Sequence, residues 1–208
     1  MSLKRILSTF LVGGLACASL WAAEDEKAEA AKSKAALAKA KVTLSQAIET
    51  ALKATPGGKA LGAELELKGE TVKIDVDVLT DKGLTEVSVD AVTGRVLKSG
   101  LEKVEGKEAE EFEQSKKALP QVKIALSDAI ATAEKEVKGG KACEVGMEIE
   151  GEKAIVEVSL ISGNDAVDVD VDAATGKVLE VEKKGAEEKE EGHEKGKSTE
   201  KQETPGKK

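Results

Sequence analysis

This 208-residue chain contains only one histidine and two cysteines, residue types that often serve as catalytic bases and nucleophiles. The only histidine is His193, and it lies in a charged stretch, EKKGAEEKEEGHEKGKSTEKQETPGKK, that has no periodic apolar residues to hold it in a fixed environment. Acid–base and nucleophilic catalysis normally need a histidine, or a cysteine or serine held beside a base. Cys143 has no histidine partner nearby, and no G-x-S-x-G motif occurs. We therefore expect a protein that is not an enzyme, with no catalytic residues and no cofactor.

The aspartates offer the other source of chemistry, because oxygen-rich surfaces can bind divalent cations. They alternate in two extended segments: Asp75 and Asp77, and then Asp168, Asp170 and Asp172. The second segment fails as an EF-hand loop, because Ala173 replaces the required glycine and Leu179 stands where the bidentate glutamate belongs. Side chains two residues apart on a strand are also roughly 6.5–7 Å apart, too far for a compact cage. We predict a solvated outer sheet face and no metal ligands; weak divalent-cation binding is the alternative.

The elements that carry these residues occur twice. The stretch VSVDAVTGRVL (87–97) returns as VDVDAATGKVL (169–179), and with that offset of 82 residues 42–97 align with 124–179 without a gap. Of the 56 aligned positions, 23 are identical. The chain therefore contains a tandem repeat of one domain.

Each repeat changes its apolar period once. Leu44, Ala47, Ile48 and Ala51 lie on one face of a helix, and Thr43 with Gln46 forms a capping box at its start. After two glycines the apolar residues alternate with polar ones through three strands and a short fourth. Alternation of this kind predicts an antiparallel sheet with one buried and one wet face. The predicted fold class is α+β: two tandem modules, each with one helix packed on a small antiparallel β-meander.

The repeated letters themselves are typical of a hairpin turn. Asp90 and Asp172 can accept hydrogen bonds from backbone amides two or three residues ahead. Thr93 and Thr175 can form similar local bonds, and Gly94 and Gly176 can adopt positive φ at the end of the turn. These six residues are predicted to be structural, since nothing in the motif requires a ligand.

The order of these segments resembles a known family. TLSQAIETALKATPGGKA, then strands, then EVSVDAVTGRVL resembles the PepSY domain, and ALSDAIATAEKEVKGGKA through DVDVDAATGKVL resembles it again. The D-A-x-T-G-x-V ending is the most specific part. The resemblance implies a non-catalytic binding module outside the cytoplasm, of the kind found in propeptides of thermolysin-like metallopeptidases. It implies no catalytic residues. Because no peptidase sequence and no H-E-x-x-H motif follow, restraint of an exported peptidase would act in trans.

Shifts in composition divide the chain into six segments. They are a signal peptide (1–23), an Ala/Lys/Glu-rich linker (24–41), repeat 1 (42–98), a charged and partly helical connector (99–122), repeat 2 (123–181) and a disordered charged tail (182–208). The signal peptide is indicated by Lys4 and Arg5, the apolar run that follows, and Ala22-Ala23 before a charged stretch. Its apolar run is short for a membrane span; an uncleaved anchor is the alternative. A lipid anchor on Cys17 is disfavoured, because Gly14 stands where a branched apolar residue is expected.

Charge limits the partners of the mature chain. Without residues 1–23 it has 30 basic and 40 acidic residues, and Phe112 is its only aromatic residue. Nucleic-acid binding needs a basic surface and usually stacking aromatics, so we exclude that class. We expect a periplasmic or secreted protein with a protein partner, possibly an exported peptidase by the family resemblance; the alternative is an envelope structural or interaction protein. Cys143, which aligns with Leu61, is predicted to be a buried apolar residue rather than a reactive thiol.

Overall fold

The computed structural model describes residues 19–150 and 153–184. The first half of this part of the chain contains two helices, α1 (Ser19–Lys39) and α2 (Leu44–Ala54), followed by β1 (Lys59–Lys68), β2 (Thr71–Thr80), β3 (Gly83–Asp90) and β4 (Val96–Leu101). The second half repeats the order: α3 (Lys107–Ala118), α4 (Leu126–Glu136), β5 (Lys141–Glu150), β6 (Lys153–Ser162), β7 (Asp165–Asp172) and β8 (Val178–Lys184). This is the predicted α+β fold, with a helix and a four-stranded meander in each repeat.

The two meanders join into one eight-stranded antiparallel sheet in the order β4-β3-β2-β1-β5-β6-β7-β8. They meet where β1 pairs with β5, through Gly62 with Gly146, Ala63 with Val145 and Glu64 with Glu144. We call this junction the seam. The sequence predicts two modules but does not predict that their sheets are continuous.

Helices α2 and α4 cover the apolar face of the sheet. The predicted stripe of α2 is buried at Leu44, Ala47, Ile48 and Ala51, as are its counterparts in α4. The predicted capping box at the start of α2 is confirmed: Gln46 N donates to Thr43 Oγ1 at 3.3 Å, and Thr43 N donates to Gln46 Oε1 at 3.0 Å. These helices and the inward-facing valines and leucines of the strands form a common core.

The remaining two helices also pack on the sheet. In α3, Phe112 and Ala118 are buried, and the helix contacts β5 and β6 of the second repeat. Helix α1 occupies most of the segment predicted to be a linker, and it contacts β1, β5 and β6. Ala36 of α1 is fully buried, so this segment is part of the folded domain, although its sequence has no strong apolar stripe.

The predictions for the two ends of the chain, a signal peptide and a disordered tail, are covered by the structure only in part. Strand β8 continues through Lys184, three residues into the stretch assigned to the disordered tail. The rest of that tail, with His193, and most of the predicted signal peptide, with Cys17, lie outside the described residues. Among the helices that are described, none combines the length and apolar character needed to cross a membrane.

Candidate functional site

The two hairpin turns have nearly identical geometry. Asp90 Oδ1 accepts hydrogen bonds from Val92 N (2.9 Å), Thr93 N (2.7 Å) and Thr93 Oγ1 (2.9 Å). Gly94 follows with a φ of 73°. The bonds from Thr93 and Val92 lower the pKa of Asp90, because they stabilise the ionised carboxylate.

The second turn repeats this arrangement. Asp172 Oδ1 accepts bonds from Ala174 N (3.1 Å), Thr175 N (2.7 Å) and Thr175 Oγ1 (2.8 Å), and Gly176 has a φ of 72°. The hydrogen bonds from Thr175 lower the pKa of Asp172 as well. The hydrogen bonds that Asp90 Oδ1 and Asp172 Oδ1 accept in the described structure come from residues of the same turn. The motif therefore acts as a local structural unit.

The face of the sheet opposite α2 and α4 is acidic, and we call it the acidic face. In repeat 1 it presents Asp75, Asp77 and Glu86, and in repeat 2 it presents Glu157, Asp168 and Asp170. The prediction of a plain solvated face is wrong for three of the aspartates, because Asp75, Asp77 and Asp168 are buried. Lys73 and Lys184 contact Asp75 and Asp168, and helix α1 crosses the same face over β1, β5 and β6, which a strand pattern alone does not reveal.

In each repeat a partly buried lysine neutralises a buried aspartate of the acidic face. Lys73 Nζ contacts Asp75 and lies 3.0 Å from Glu66 Oε2, while Ser88 Oγ donates to Asp75 Oδ1 at 2.6 Å. Burial lowers the pKa of Lys73, but the hydrogen bonds and charges of Asp75 and Glu66 outweigh it, so the pKa is raised. Lys73 is therefore a permanently charged partner at neutral pH.

In repeat 2, the buried aspartate is neutralised by a lysine from a different strand. Lys184 Nζ of β8 lies 2.6 Å from Asp168 Oδ2. Burial again opposes its charge, yet Asp168, followed by Glu157 and Glu144, raises the pKa of Lys184 to about 12. The position equivalent to Lys73 is Ile155 and that equivalent to Lys184 is Glu102, so the repeats have diverged in how they compensate charge.

Burial and neighbouring acidic groups shift the other carboxylates of this face towards their protonated forms. Burial, then Glu102 and Glu86, raise the pKa of Asp77 to about 8. Burial and Asp168 raise the pKa of Glu157 to about 8, and burial and Glu150 raise that of Asp170 to about 6. At neutral pH Asp77 and Glu157 therefore carry less negative charge than ordinary carboxylates, because burial and the neighbouring carboxylates disfavour their ionised forms.

Cys143 lies on the acidic side of β5, at a bulge between Ala142 and Glu144. It is buried, and its thiol donates to the Ser159 carbonyl oxygen at 3.4 Å. Burial, together with the charge of Glu144, raises the pKa of Cys143 to about 12. A thiol in this state is a poor nucleophile, because the thiolate is the reactive form.

The structure brings no catalytic or metal-ligating group together in the described residues. No three side chains among His, Cys, Asp and Glu in that part of the chain are arranged to hold a metal ion. The acidic face is a row of side chains on separate strands rather than a cage. Its arrangement suits several separate cationic groups better than one small ion.

Both ends of the sheet are open. Among the described strands, β4 pairs with β3 alone and β8 with β7 alone. These edge strands also carry large apolar side chains that are about half exposed: Leu97 and Leu101 on β4, and Leu179 and Val181 on β8. A free edge with unpaired backbone groups and apolar side chains is a template for pairing with another chain.

The comparison with family profiles agrees with the repeat and its turns. A profile described as "Peptidase propeptide and YPEB domain", the PepSY profile, matches residues 41–99 and again 123–182. The chain belongs to the PepSY family. The matches begin and end within one residue of the two predicted repeats, and they identify the Asp90 and Asp172 turns as parts of PepSY domains. PepSY domains are generally non-catalytic regulatory modules, and the proteins that carry them are usually extracellular or associated with the cell envelope.

Three solved structures resemble this PepSY chain. A Clostridium difficile 630 protein described as a lipoprotein is 22% identical, with 69% of this chain and 94% of that one covered and a TM-score of 0.44. The YpmB protein of Bacillus subtilis is 24% identical (66% and 94% covered, TM-score 0.28). The C-terminal domain of Bacillus megaterium YpeB is 17% identical (70% and 66% covered, TM-score 0.27). No curated protein matches the chain.

The acidic face includes residues that sequence reasoning overlooked. Glu86, Glu144 and Glu157 face the same side as the alternating aspartates, and Lys73 and Lys184 compensate them. The period-two alternation gives the face of each residue within a strand. It does not give the neighbours of each residue on the adjacent strands, so the sequence did not reveal which carboxylates lie close together.

Proposed function

We propose that this PepSY protein is an exported, non-catalytic binding protein that restrains a periplasmic or secreted peptidase in trans. The observation that carries the proposal is the pair of open sheet edges, β4 and β8, with their exposed leucine and valine side chains. An extended segment near the peptidase's substrate cleft would add to one edge as a further antiparallel strand. Backbone hydrogen bonds would supply affinity, and the apolar side chains would supply specificity.

The family supports the kind of activity rather than the particular partner. PepSY domains are described as peptidase propeptide domains, so the two domains of this chain are suited to contact a peptidase. Export is supported by the leader-like sequence that precedes residue 24. The argument against a lipid anchor at Cys17 rests on the sequence alone, and one structurally similar protein is described as a lipoprotein.

An inhibition assay with edge variants tests the proposal. The chain from residue 24 is titrated into an exported metallopeptidase from the source organism, and cleavage of a quenched peptide substrate is followed. We expect dose-dependent inhibition that survives moderate salt. Replacing Leu97 and Leu101 on β4, or Leu179 and Val181 on β8, by lysine is expected to weaken inhibition about tenfold, equivalent to about 1.4 kcal/mol.

The matched control is Val92→Lys, which also replaces an exposed apolar residue by lysine but lies in the turn between β3 and β4. It is expected to inhibit as well as the unaltered protein. Equal loss of inhibition in the control and in both edge variants would show that added charge, rather than the edges, is responsible. Absence of inhibition by the unaltered protein would contradict the proposal.

The second candidate function is an envelope interaction protein that works through the acidic face. The concentration of carboxylate side chains on that face, from Asp75 on β2 to Asp170 on β7, favours it. Binding to a partner without inhibition of any peptidase, together with strong dependence on salt, would distinguish this function from the first.

A further inference from the structure

The exposed apolar side chains of the sheet are concentrated on its two edge strands. Among the described residues, the exposed large apolar side chains other than Val92 all belong to β4 or β8: Val96, Leu97, Leu101, Leu179 and Val181. An edge strand with unpaired backbone groups and exposed apolar side chains is a template for a further strand. The partner that fits such an edge must match its apolar and charged side chains.

The two edges carry opposite charges on the acidic side of the sheet. By the register of the strand pairs, Lys98 of β4 and Glu180 and Glu182 of β8 all project to that side. Lys98 and Glu180 stand at equivalent positions of the two repeats, 82 residues apart. The Lys98 side chain is 73% exposed, and its contact with Glu86 is a long one of 3.7 Å. Lys98 is therefore accessible to a carboxylate of another molecule.

The two edge strands also run in opposite directions. Every neighbouring pair of strands in the sheet is antiparallel, and seven such pairings separate β4 from β8. A second copy in the same orientation, added at the end of the sheet, therefore brings its β4 antiparallel to β8 and keeps the acidic sides of the two copies together. The seam is a junction of this kind within the chain, where three residue pairs of β1 and β5 join the two meanders.

One register of β4 against β8 matches both sides of the sheet. It places opposite one another Leu97 and Val181, Lys98 and Glu180, and Ser99 and Leu179. Glu182 then lies diagonally next to Lys98, within reach of that long side chain. A slip by one residue would turn the charged side chains of one strand to the other face, so the faces fix the register.

Pairing of identical edges is less favourable. In its longer face-matched registers, β8 against a second β8 sets glutamates opposite one another: Glu180 to Glu180, Glu180 to Glu182, or Glu182 to Glu182. A β4 strand against a second β4 sets Lys98 opposite Lys98 or opposite Gly100, without an acidic partner. Like charges at facing positions destabilise a strand pair and opposite charges stabilise it, so the charges favour β4 with β8.

We propose that this protein binds a second copy of itself, with β4 of one molecule added to β8 of the next as an antiparallel strand. The Lys98–Glu180 charge pair and the Leu97–Val181 apolar pair specify the contact. The contact is heterologous, so each end of a pair keeps a free edge and association continues into chains of molecules. Self-association goes beyond peptidase restraint and competes with it, because a bound copy occupies an edge that a peptidase would otherwise reach.

Sedimentation equilibrium of the chain from residue 24 tests self-association without any peptidase. The protein is measured up to about 1 mM, a concentration that detects a millimolar dissociation constant, in about 0.15 M salt to screen repulsion between acidic molecules. We expect the average mass to rise with concentration without levelling off at that of a dimer. Lys98→Glu, and separately the double variant Glu180→Lys with Glu182→Lys, are each expected to weaken association at least about tenfold, because each makes the facing charges alike. The matched control is Lys135→Glu on the exposed side of α4, with an expected change of less than about twofold.

Mixing the two charge-reversal variants separates specific pairing from damage to the fold. In the mixture, each β4 finds a β8 of opposite charge on the other variant, so association is expected to return. Cross-linking then locates the contact: a protein with Ser99→Cys is mixed with one carrying Leu179→Cys and oxidised. Facing residues of antiparallel strands have Cα atoms roughly 4.5–5.5 Å apart, within the range of a disulfide, so a dimer linked between the two variants is expected. The unaltered protein, whose Cys143 is buried, is the control.

Four results would overturn the proposal. A mass that stays at that of the monomer up to about 1 mM would show that the edges do not bind a second copy. Equal weakening by Lys98→Glu and Lys135→Glu would show dependence on net charge only. Full association of the Glu180→Lys, Glu182→Lys variant would show that β8 takes no part. Cross-linked dimers of the Ser99→Cys protein alone as the main product would show that β4 pairs with β4 instead.

Discussion

Gly94 and Gly176 end the two repeated turns in the left-handed backbone region, with φ values of 73° and 72°. A side chain at such a position costs roughly 1–2 kcal/mol, because Cβ approaches the following carbonyl oxygen. We expect Gly94→Ala and Gly176→Ala each to lower the free energy of unfolding by about 1 kcal/mol in urea titrations. Added at Gly94, a Cβ atom would otherwise meet only Val42, at an ordinary 3.6 Å.

Gly100 on β4 provides the control for this prediction. It has no positive φ, and nothing lies within 4 Å of a Cβ placed there. Gly100→Ala should therefore leave the free energy of unfolding nearly unchanged. An equal loss of stability in Gly94→Ala and Gly100→Ala would show that backbone conformation at the turn is not the cause.

Residues of the turns could be predicted from the sequence, but those of the acidic face only in part. Asp90 bonds to groups two and three residues ahead, so the whole interaction lies within a few letters of sequence. The pKa of Asp77 depends on Glu86 of β3 and on Glu102, which follows β4 in the connector. The burial of Asp77 follows from strand pairing, and the sequence does not specify that pairing residue by residue.

At the scale of secondary-structure elements, the seam pairs two like charges. Glu64 of β1 lies directly opposite Glu144 of β5. Burial, followed by the charge of Glu64, raises the pKa of Glu144 to about 8, while Lys184 opposes the shift. Because the folded-state pKa exceeds the unfolded value, Glu144 is harmless below about pH 4.5 and becomes increasingly destabilising as the pH rises to about 8.

Glu144→Gln should therefore stabilise the protein at pH 9 and have little effect at pH 4. We expect a gain of about 1–3 kcal/mol at pH 9, since each pH unit of raised pKa corresponds to about 1.4 kcal/mol and Glu144 retains some exposure. The measurement is chemical denaturation at both pH values. Glu136→Gln, at the exposed end of α4, should show no such difference. Equal stabilisation by Glu144→Gln at both pH values would contradict the assignment to its charge.

Some helices and strands could be predicted from their apolar patterns, and others could not. Leu44, Ala47 and Ile48 mark α2 by period alone, and the alternating valines mark the strands, because both patterns express which side is buried. Helix α1 gave no such signal, since it packs through Ala36 and other small residues that leave no apolar stripe. The β1–β5 pairing was also missed, because an alternating strand pattern is the same at an edge and inside a sheet.

At the scale of the whole molecule, the two PepSY domains form one sheet with two equivalent open ends. Because β1 pairs with β5 at the seam, β4 and β8 are the two edge strands of the described sheet, roughly 34 Å apart by seven strand spacings. One face between them is apolar and covered by α2 and α4, and the other is acidic and crossed by α1. The two edges are therefore separate from both covered faces, and each edge could be contacted by a partner without disturbing the helices.

Amide hydrogen exchange on the complex tests the central claim, restraint of a peptidase by strand addition, most directly. The chain from residue 24 is exchanged alone and with a saturating amount of an exported metallopeptidase that it inhibits, and peptides covering β4 and β8 are compared. We predict slower exchange in the complex at β4, β8 or both, because outward-facing backbone amides gain hydrogen bonds to the added strand. Inhibition accompanied by unchanged exchange at both edge strands would contradict the account.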